Sequence, residues 1–361
     1  MSVISFKCPN CDGELIFDPS SGKYKCEYCM SMFSQEELDA MAPAESTEQK
    51  QAEEETSAVG DADTAADAQG EGQAVVYTCP SCGAEIVTDA TTAATFCYYC
   101  HNPVVLGGRL EGKYLPNKVI PFSIDKKEAE KKFLEFVGSK KFVPRAFFNK
   151  KQIEKLSGIY FPYWVYDTTL KGNMQAEAKN VRVWRSGETE YTETKIYQVE
   201  REGEVDLNNL TENALQKANK QLVEGVLPYN LEEMKDFSMG YLSGFGAEKR
   251  DIEKETLADG LKNETRDYAQ KLMRDTITGY SSVSVKSSSF NAKKEKFNYV
   301  LLPVWTVTYK AHNGKMYYYS MNGQTGKVFG ELPVDYKKLS LVSGIVSAVA
   351  LVLGLIGGFL L

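Results

Sequence analysis

The sequence predicts an α+β chain assembled from modules: two small four-cysteine units of mostly β structure, a larger α+β domain whose halves echo one another, and one membrane-crossing helix. Three observations predict it. All eight cysteines of the 361 residues fall into two copies of one spacing, and residues 339–361 form an uncharged apolar run. Between them lie helical and aromatic-rich extended patterns over a length that can bury a core. The expected modules are 1–35, an acidic linker over 36–75, a second cysteine unit over 76–108, the α+β domain over 114–336, and the span 339–361.

Cys8, Cys11, Cys26 and Cys29 read C-x2-C-x14-C-x2-C, as do Cys79, Cys82, Cys97 and Cys100. Sliding the first copy by 71 residues also aligns Pro9 with Pro80, Glu14 with Glu85, Asp18 with Asp89 and Tyr28 with Tyr99. Four thiolates arriving as two close pairs suit a tetrahedral zinc ion, so two zinc ions per chain are expected, each in a structural ribbon. Such units are too short for a core of their own, and metal binding supplies the folding energy instead. A disulfide framework would normally follow a signal peptide, and no apolar stretch precedes the first CxxC. Redox chemistry would place one pair beside a βαβ unit, whereas these pairs come in matched twos. Four thiolates also suit iron, which the spacing does not distinguish.

Residues 40–74 hold nine acidic residues against Lys50, with no aromatic side chain, and read as a disordered tether. The formal charge of −7 therefore belongs to this segment. Residues 77–103 contain no Lys or Arg, and a zinc ion held by four thiolates adds negative charge, so this unit should repel phosphate. A membrane-tethered nucleic-acid binder is thereby the weaker alternative. Residues 113–155 carry twelve basic residues against five acids, interleaved with Phe133, Phe136, Phe142, Phe147 and Phe148. On a helix over 126–137, Ala129, Phe133, Phe136 and Val137 share one face, which makes the phenylalanines core and the lysines solvated. The same lysines could meet anionic lipid headgroups.

Further helices are expected over 210–224 and 251–277, the latter with Leu257, Leu261, Tyr268 and Leu272 facing inward. Strands are expected around 161–166, 181–184, 191–199, 281–286, 303–309 and 316–321. Asn313-Gly314 and Asn322-Gly323 are hairpin-turn signals. Pro162-x-Trp164 and Pro303-x-Trp305 repeat one phrase, each proline opening a strand and each tryptophan buried in it.

The run from Leu339 to Leu361 is long enough to cross a ~30 Å hydrocarbon core at ~1.5 Å per residue. Lys337 and Lys338 flank it, and thiolate sites belong in a reducing compartment, so residues 1–338 are expected on the cytosolic side. Ser340, Gly344 and Ala348, and again Gly354 and Gly358, lie four apart and would permit close approach of another helix.

Catalysis finds little footing. The two histidines are His101, which follows Cys100, and His312, beside an Asn-Gly turn. No P-loop, HExxH or GxSxG occurs, and every thiol is already allocated. No enzyme is expected.

The order CPNC…CEYC, acidic linker, CPSC…CYYC, VIPFSIDKKEAEKKF, GIYFPYWVYD, YLSGFGAE, LLPVWTVTY, NGQTGKVFGELP and terminal span resembles bacterial membrane-anchored proteins with zinc ribbons of the transcription-factor-IIB type. In layout it is similar to those encoded beside phage-shock protein A and an SPFH-domain protein in Firmicutes. The resemblance implies a membrane scaffold in envelope-stress maintenance, with SPFH-domain or phage-shock-type protein partners, the lipid bilayer as anchor, and the eight cysteines as metal ligands. It carries over no catalytic residue.

Overall fold

The computed structural model describes residues 3–4, 6–41, 75–79, 82, 84–97, 103–106, 108–144, 156–310 and 316–360. Most of the acidic tether, Cys100, His101, Phe147, Phe148, His312 and Asn313-Gly314 lie outside them. The chain is α+β, with five α-helices among the described residues. It divides into two compact units: residues 1–162, 217–249 and 301–361, and residues 163–216 and 250–300.

The first unit contains both cysteine modules. In the first, β2 (Leu15–Asp18), β3 (Lys23–Cys26) and β4 (Met32–Phe33) form a small antiparallel sheet, followed by α1 (Gln35–Met41). Ser34 and Glu37 cap α1 reciprocally: the Glu37 carboxylate accepts from the Ser34 N–H at 2.7 Å, and the Ser34 hydroxyl accepts from the Glu37 N–H at 3.2 Å. In the second, β5 (Val75–Thr78) pairs with β6 (Glu85–Thr88), and β7 (Thr92–Phe96) with β8 (Pro103–Leu106).

Neither module stands apart from the sheet. Strand β1 (Val3–Ile4) adds to β8 with Val3 opposite Leu106. On its other side β7 pairs with β13 (Gly246–Glu248), which runs parallel to the first residues of β10 (Ser157–Ser186). Short strands β9 (Lys118–Val119) and β12 (Lys235–Asp236) pair nearby.

Helix α2 (Lys126–Gly138) forms where expected: the Asp125 carboxylate accepts from the Glu128 N–H at 2.8 Å, and Ala129, Phe133 and Val137 are buried. Phe136 is only half-buried. The helix lies on the antiparallel strands β14 (Ser282–Lys310), β15 (Met316–Asn322) and β16 (Val328–Gly330), with Phe133 edge-on to Tyr319 at 4.8 Å. The first unit ends in α5 (Tyr336–Leu360).

The second unit is built on a long hairpin, β10 against β11 (Thr189–Asn213), in register from Tyr163 opposite Asn213 to Ser186 opposite Thr189. One irregularity falls at Asp167, whose carboxylate accepts from the N–H of Asn209, a residue at φ +67. Helix α4 (Lys254–Asp275) covers one face through Ala269 and Met273, packed with Leu170, Met174 and Phe290. Gly172 is required there, because a Cβ would lie 2.3 Å from the Phe290 ring.

Several expectations are corrected. The segment 210–224 is not one helix: Leu210 pairs with Tyr166 in β11, and only α3 (Lys220–Gly225) is helical, because cross-strand pairing over the whole hairpin outweighs local propensity. The inward face of α4 is Leu261, Thr265, Ala269 and Met273, while Tyr268 and Leu272 are half exposed. Small residues pack closest to the sheet, and Thr265 loses no hydrogen bond there, since its hydroxyl donates to the Leu261 carbonyl at 2.8 Å. The expected strand over 316–321 forms as β15, but the other five expected short strands merge into strands of 30, 25 and 29 residues, and Pro162 and Pro303 lie inside them rather than at their starts. Asn322-Gly323 opens a five-residue connection, not a two-residue turn; the Asn322 side chain accepts from the N–H groups of Gln324 and Thr325, and donates to the Val226 carbonyl at 2.9 Å.

Candidate metal centre

The first cysteine pair is positioned by a tight backbone loop. Cys8 N–H donates to the Gly13 carbonyl at 2.6 Å and Asp12 N–H donates to the Cys8 carbonyl at 2.9 Å, with Asp12 at φ +59. The second pair repeats this: Cys26 N–H to Ser31 at 2.9 Å, Met30 N–H to Cys26 at 3.1 Å, and Met30 at φ +60. Each loop therefore returns its two thiols to one side. Gly13 leaves room for this, since a Cβ would come 2.6 Å from the Tyr28 ring and 3.3 Å from the Cys11 sulfur.

The four thiols Cys8, Cys11, Cys26 and Cys29 all lie within 4.8 Å of one another. Cys8 and Cys29 are 3.6 Å apart and Cys11 and Cys26 3.5 Å. A tetrahedron with ~2.3 Å metal–sulfur bonds has edges of ~3.8 Å, whereas a disulfide needs ~2.05 Å. The arrangement is compatible with a bound metal such as zinc. Cys8 and Cys26 are buried, and Cys11 and Cys29 face solvent.

Ionisation within the cluster is uneven. The Ser31 hydroxyl, and then its backbone N–H, lower the Cys29 thiol to about 6. At Cys11 the Gly13 N–H pulls downward, but the thiols of Cys29 and Cys26 push the pKa up to about 12. Four sulfurs this close cannot all carry charge in water, and a dication removes the conflict.

The second centre brings together Cys79, Cys82 and Cys97, again within 4.8 Å, with Cys82 and Cys97 3.7 Å apart. Cys79 N–H donates to the Ala84 carbonyl at 2.7 Å, five residues on, as in the first module. Its fourth expected ligand, Cys100, lies outside the described residues. Tyr77, Val104 and Leu106 pack against the inner cysteines, and the Arg109 guanidinium donates to the Tyr77 hydroxyl at 2.6 Å.

The first module is docked on the turn that follows β12. Phe17 and Tyr24 meet the Tyr241 ring at 5.2 and 6.5 Å, the Ser243 hydroxyl donates to the Leu15 carbonyl, and Phe17 N–H donates to the Ser243 carbonyl at 3.1 Å. Gly240 and Gly244 admit Tyr24 and Ile16 to close approach. Sequence reasoning finds the cysteines but not this seat, although its signal is the phrase GYLSG, whose two glycines bracket the contact.

Helix α5 is the other candidate element. Its residues 336–354 have a mean hydropathy of 1.6 and bury nothing within the protein, so it is long and apolar enough to cross a bilayer.

The molecule is thus an α+β protein with two clustered-thiol centres and an apolar C-terminal helix. It is 33% identical over 363 residues to the uncharacterized protein YdjG of Bacillus subtilis (strain 168), across 99% of this chain and 100% of that protein, and belongs to the same family. No protein-family model and no solved structure matches it.

Proposed function

We propose that the protein is a membrane-anchored, non-enzymatic adaptor that holds protein partners on the cytosolic face of the bilayer. Its two centres are zinc ribbons, Cys100 completing the second, and α5 is its anchor. The observation that carries the reading is the far end of the β10–β11 hairpin. Beyond Lys179, Val181, Val183, Trp184, Tyr191 and Ile196 are all substantially exposed, with Trp184 stacked on Tyr191 at 5.6 Å. Exposed aromatic and β-branched side chains gathered at a hairpin end favour a protein partner that covers them. Sulfur separations of 3.5–3.7 Å favour zinc, Lys337 and Lys338 favour a cytosolic body, and the resemblance favours SPFH-domain or phage-shock-type partners in envelope-stress maintenance.

The test is affinity purification of the full chain from detergent extracts. A stoichiometric protein partner should accompany the wild type and be lost with W184A/Y191A. Recovery of no partner would sink the adaptor reading.

A further inference from the structure

We propose that a groove at the base of α5 holds one anionic phospholipid, with its headgroup against Lys140 and Lys141 and an acyl chain along the apolar floor. The proposal rests on the reading that α5 crosses the bilayer. The groove, about 720 Å³, opens between the end of α2 and the segment joining β16 to α5. Phe136, Phe142, Phe329, Leu332 and Val334 line it, and Lys140 and Lys141 stand among them. The Lys140 ammonium sits 5.4 Å from the centre of the Phe136 ring, which carries its charge over the apolar floor.

The groove is tied to the helix. Asp335 N–H donates to the Phe142 carbonyl at 2.6 Å, and the Lys338 ammonium donates to the Val143 carbonyl at 3.2 Å, which clamps the turn after α2 to the first turn of α5. Val334 precedes the first residue of α5 by two positions. With α5 in the bilayer, the groove therefore lies in the headgroup layer, where lipid is the ligand at hand.

Charge complementarity selects an anion. Among the described residues neither lysine has a carboxylate partner. The nearby Asp335 carboxylate is already engaged, accepting from the N–H groups of Lys337 and Lys338 at 3.1 and 3.2 Å and lying 3.8 Å from the Lys338 ammonium. An apolar trough rimmed by two ammonium groups matches a molecule with one acidic head and a long aliphatic tail. Each basic residue near an anionic headgroup contributes roughly fivefold in affinity, so the pair should give a preference of at least about tenfold.

Full-length protein in neutral detergent, offered equal amounts of phosphatidylglycerol and phosphatidylcholine with the same chains, can be read by native mass spectrometry. One phosphatidylglycerol should be retained over phosphatidylcholine by about tenfold or more. K140Q/K141Q should bring the ratio to near one, and Val334→Trp, which fills the floor and keeps both lysines, should lower retention of phosphatidylglycerol. Excess glycerol phosphate should not displace the lipid. Equal retention of the two lipids, an unchanged ratio in the double variant, or displacement by glycerol phosphate would overturn the proposal. Each variant is first checked for wild-type metal content and melting temperature. Flotation with pure phosphatidylcholine vesicles reads the anchor separately: failure there sinks the anchoring and the placement of the groove at the bilayer, while the ratio in detergent decides the groove itself.

Discussion

Trp305 reaches back 181 residues along the chain to donate its indole N–H to the Ile124 carbonyl at 3.0 Å, one residue ahead of the cap of α2. Trp164 reaches forward 88 residues to donate its indole N–H to the Ile252 carbonyl at 2.9 Å, one residue ahead of the cap of α4. The Phe122 N–H donates to the Tyr160 hydroxyl and the Arg250 N–H to the Tyr299 hydroxyl, both at 3.3 Å. Phe122 lies 5.0 Å from the Tyr160 ring and 5.1 Å from Trp305, and the Arg250 guanidinium lies 5.5 Å from Tyr299 and 4.9 Å from Trp164. Each helix start is thus held by a tyrosine from the strand that next follows it and a tryptophan from the other half of the sequence. The two units share one construction with their strand segments exchanged.

Trp164→Phe and Trp305→Phe should cost similar amounts, about 1–3 kcal/mol each, because each leaves a carbonyl without its donor. Urea unfolding of the full chain would show it. A neutral result at either site would break the equivalence of the two helix starts.

The docked seat of the first cysteine module should fail in Gly244→Ala. The glycine sits at φ +89, and a Cβ there would lie 2.3 Å from Ile16. Limited proteolysis should then cut within residues 6–41 faster than in wild type while metal content stays unchanged, since the thiol loops do not touch residue 244. Loss of metal together with docking would contradict this independence.

Metal analysis of the purified chain should find two zinc ions. Cys26→Ser should leave one ion, as should Cys97→Ser, and the double variant none. Because the ligands must be deprotonated, release should grow as pH falls below neutrality, read by a chromogenic chelator.

Helix α1 should loosen in acid. The Ser34 backbone N–H and then its hydroxyl hold the Glu37 carboxyl below its ordinary value. A depressed folded pKa means the stabilisation is present above the unfolded value near 4.3 and is lost as pH falls through the folded one. Hydrogen exchange of residues 36–41, compared with Ser34→Ala at neutral pH, should show the same amides released in both cases.

Val349→Arg places a charge in the middle of the apolar helix, at a cost of about 2.5–3.5 kcal/mol for insertion. Carbonate extraction of membranes should move the variant, but not the wild type, toward the soluble fraction.

The first cysteine quartet, the grouping of Cys79, Cys82 and Cys97, and the helices α2, α4 and α5 are legible in the sequence, because their signals are short spacings and local periodicity. The inward face of α4 is not, since Thr265 and Ala269 carry little hydropathy while the larger Tyr268 and Leu272 draw attention to the exposed side. The length of β10 is hidden by Pro162, by Gly172, and by an end exposed on both faces, where no alternation is demanded. The seat of the first module on Tyr241 and Ser243 joins residues more than two hundred positions apart, and no local pattern encodes such a contact. The groove beside Lys140 is hidden for a related reason: Phe136 reads as core by its spacing, yet it is half-buried and faces the segment ahead of α5.

The exchange of strand segments bears on how the chain is made. Helix α2 emerges from the ribosome about 175 residues before its tryptophan and the strands it covers, from Leu301 to Gly330. The first unit therefore has to wait, part-formed and with its aromatic face open, until the apolar helix starting at Tyr336 is itself being synthesised. Folding of the body and synthesis of that helix fall in the same short interval, so the nascent chain should need a holding chaperone until the helix is complete.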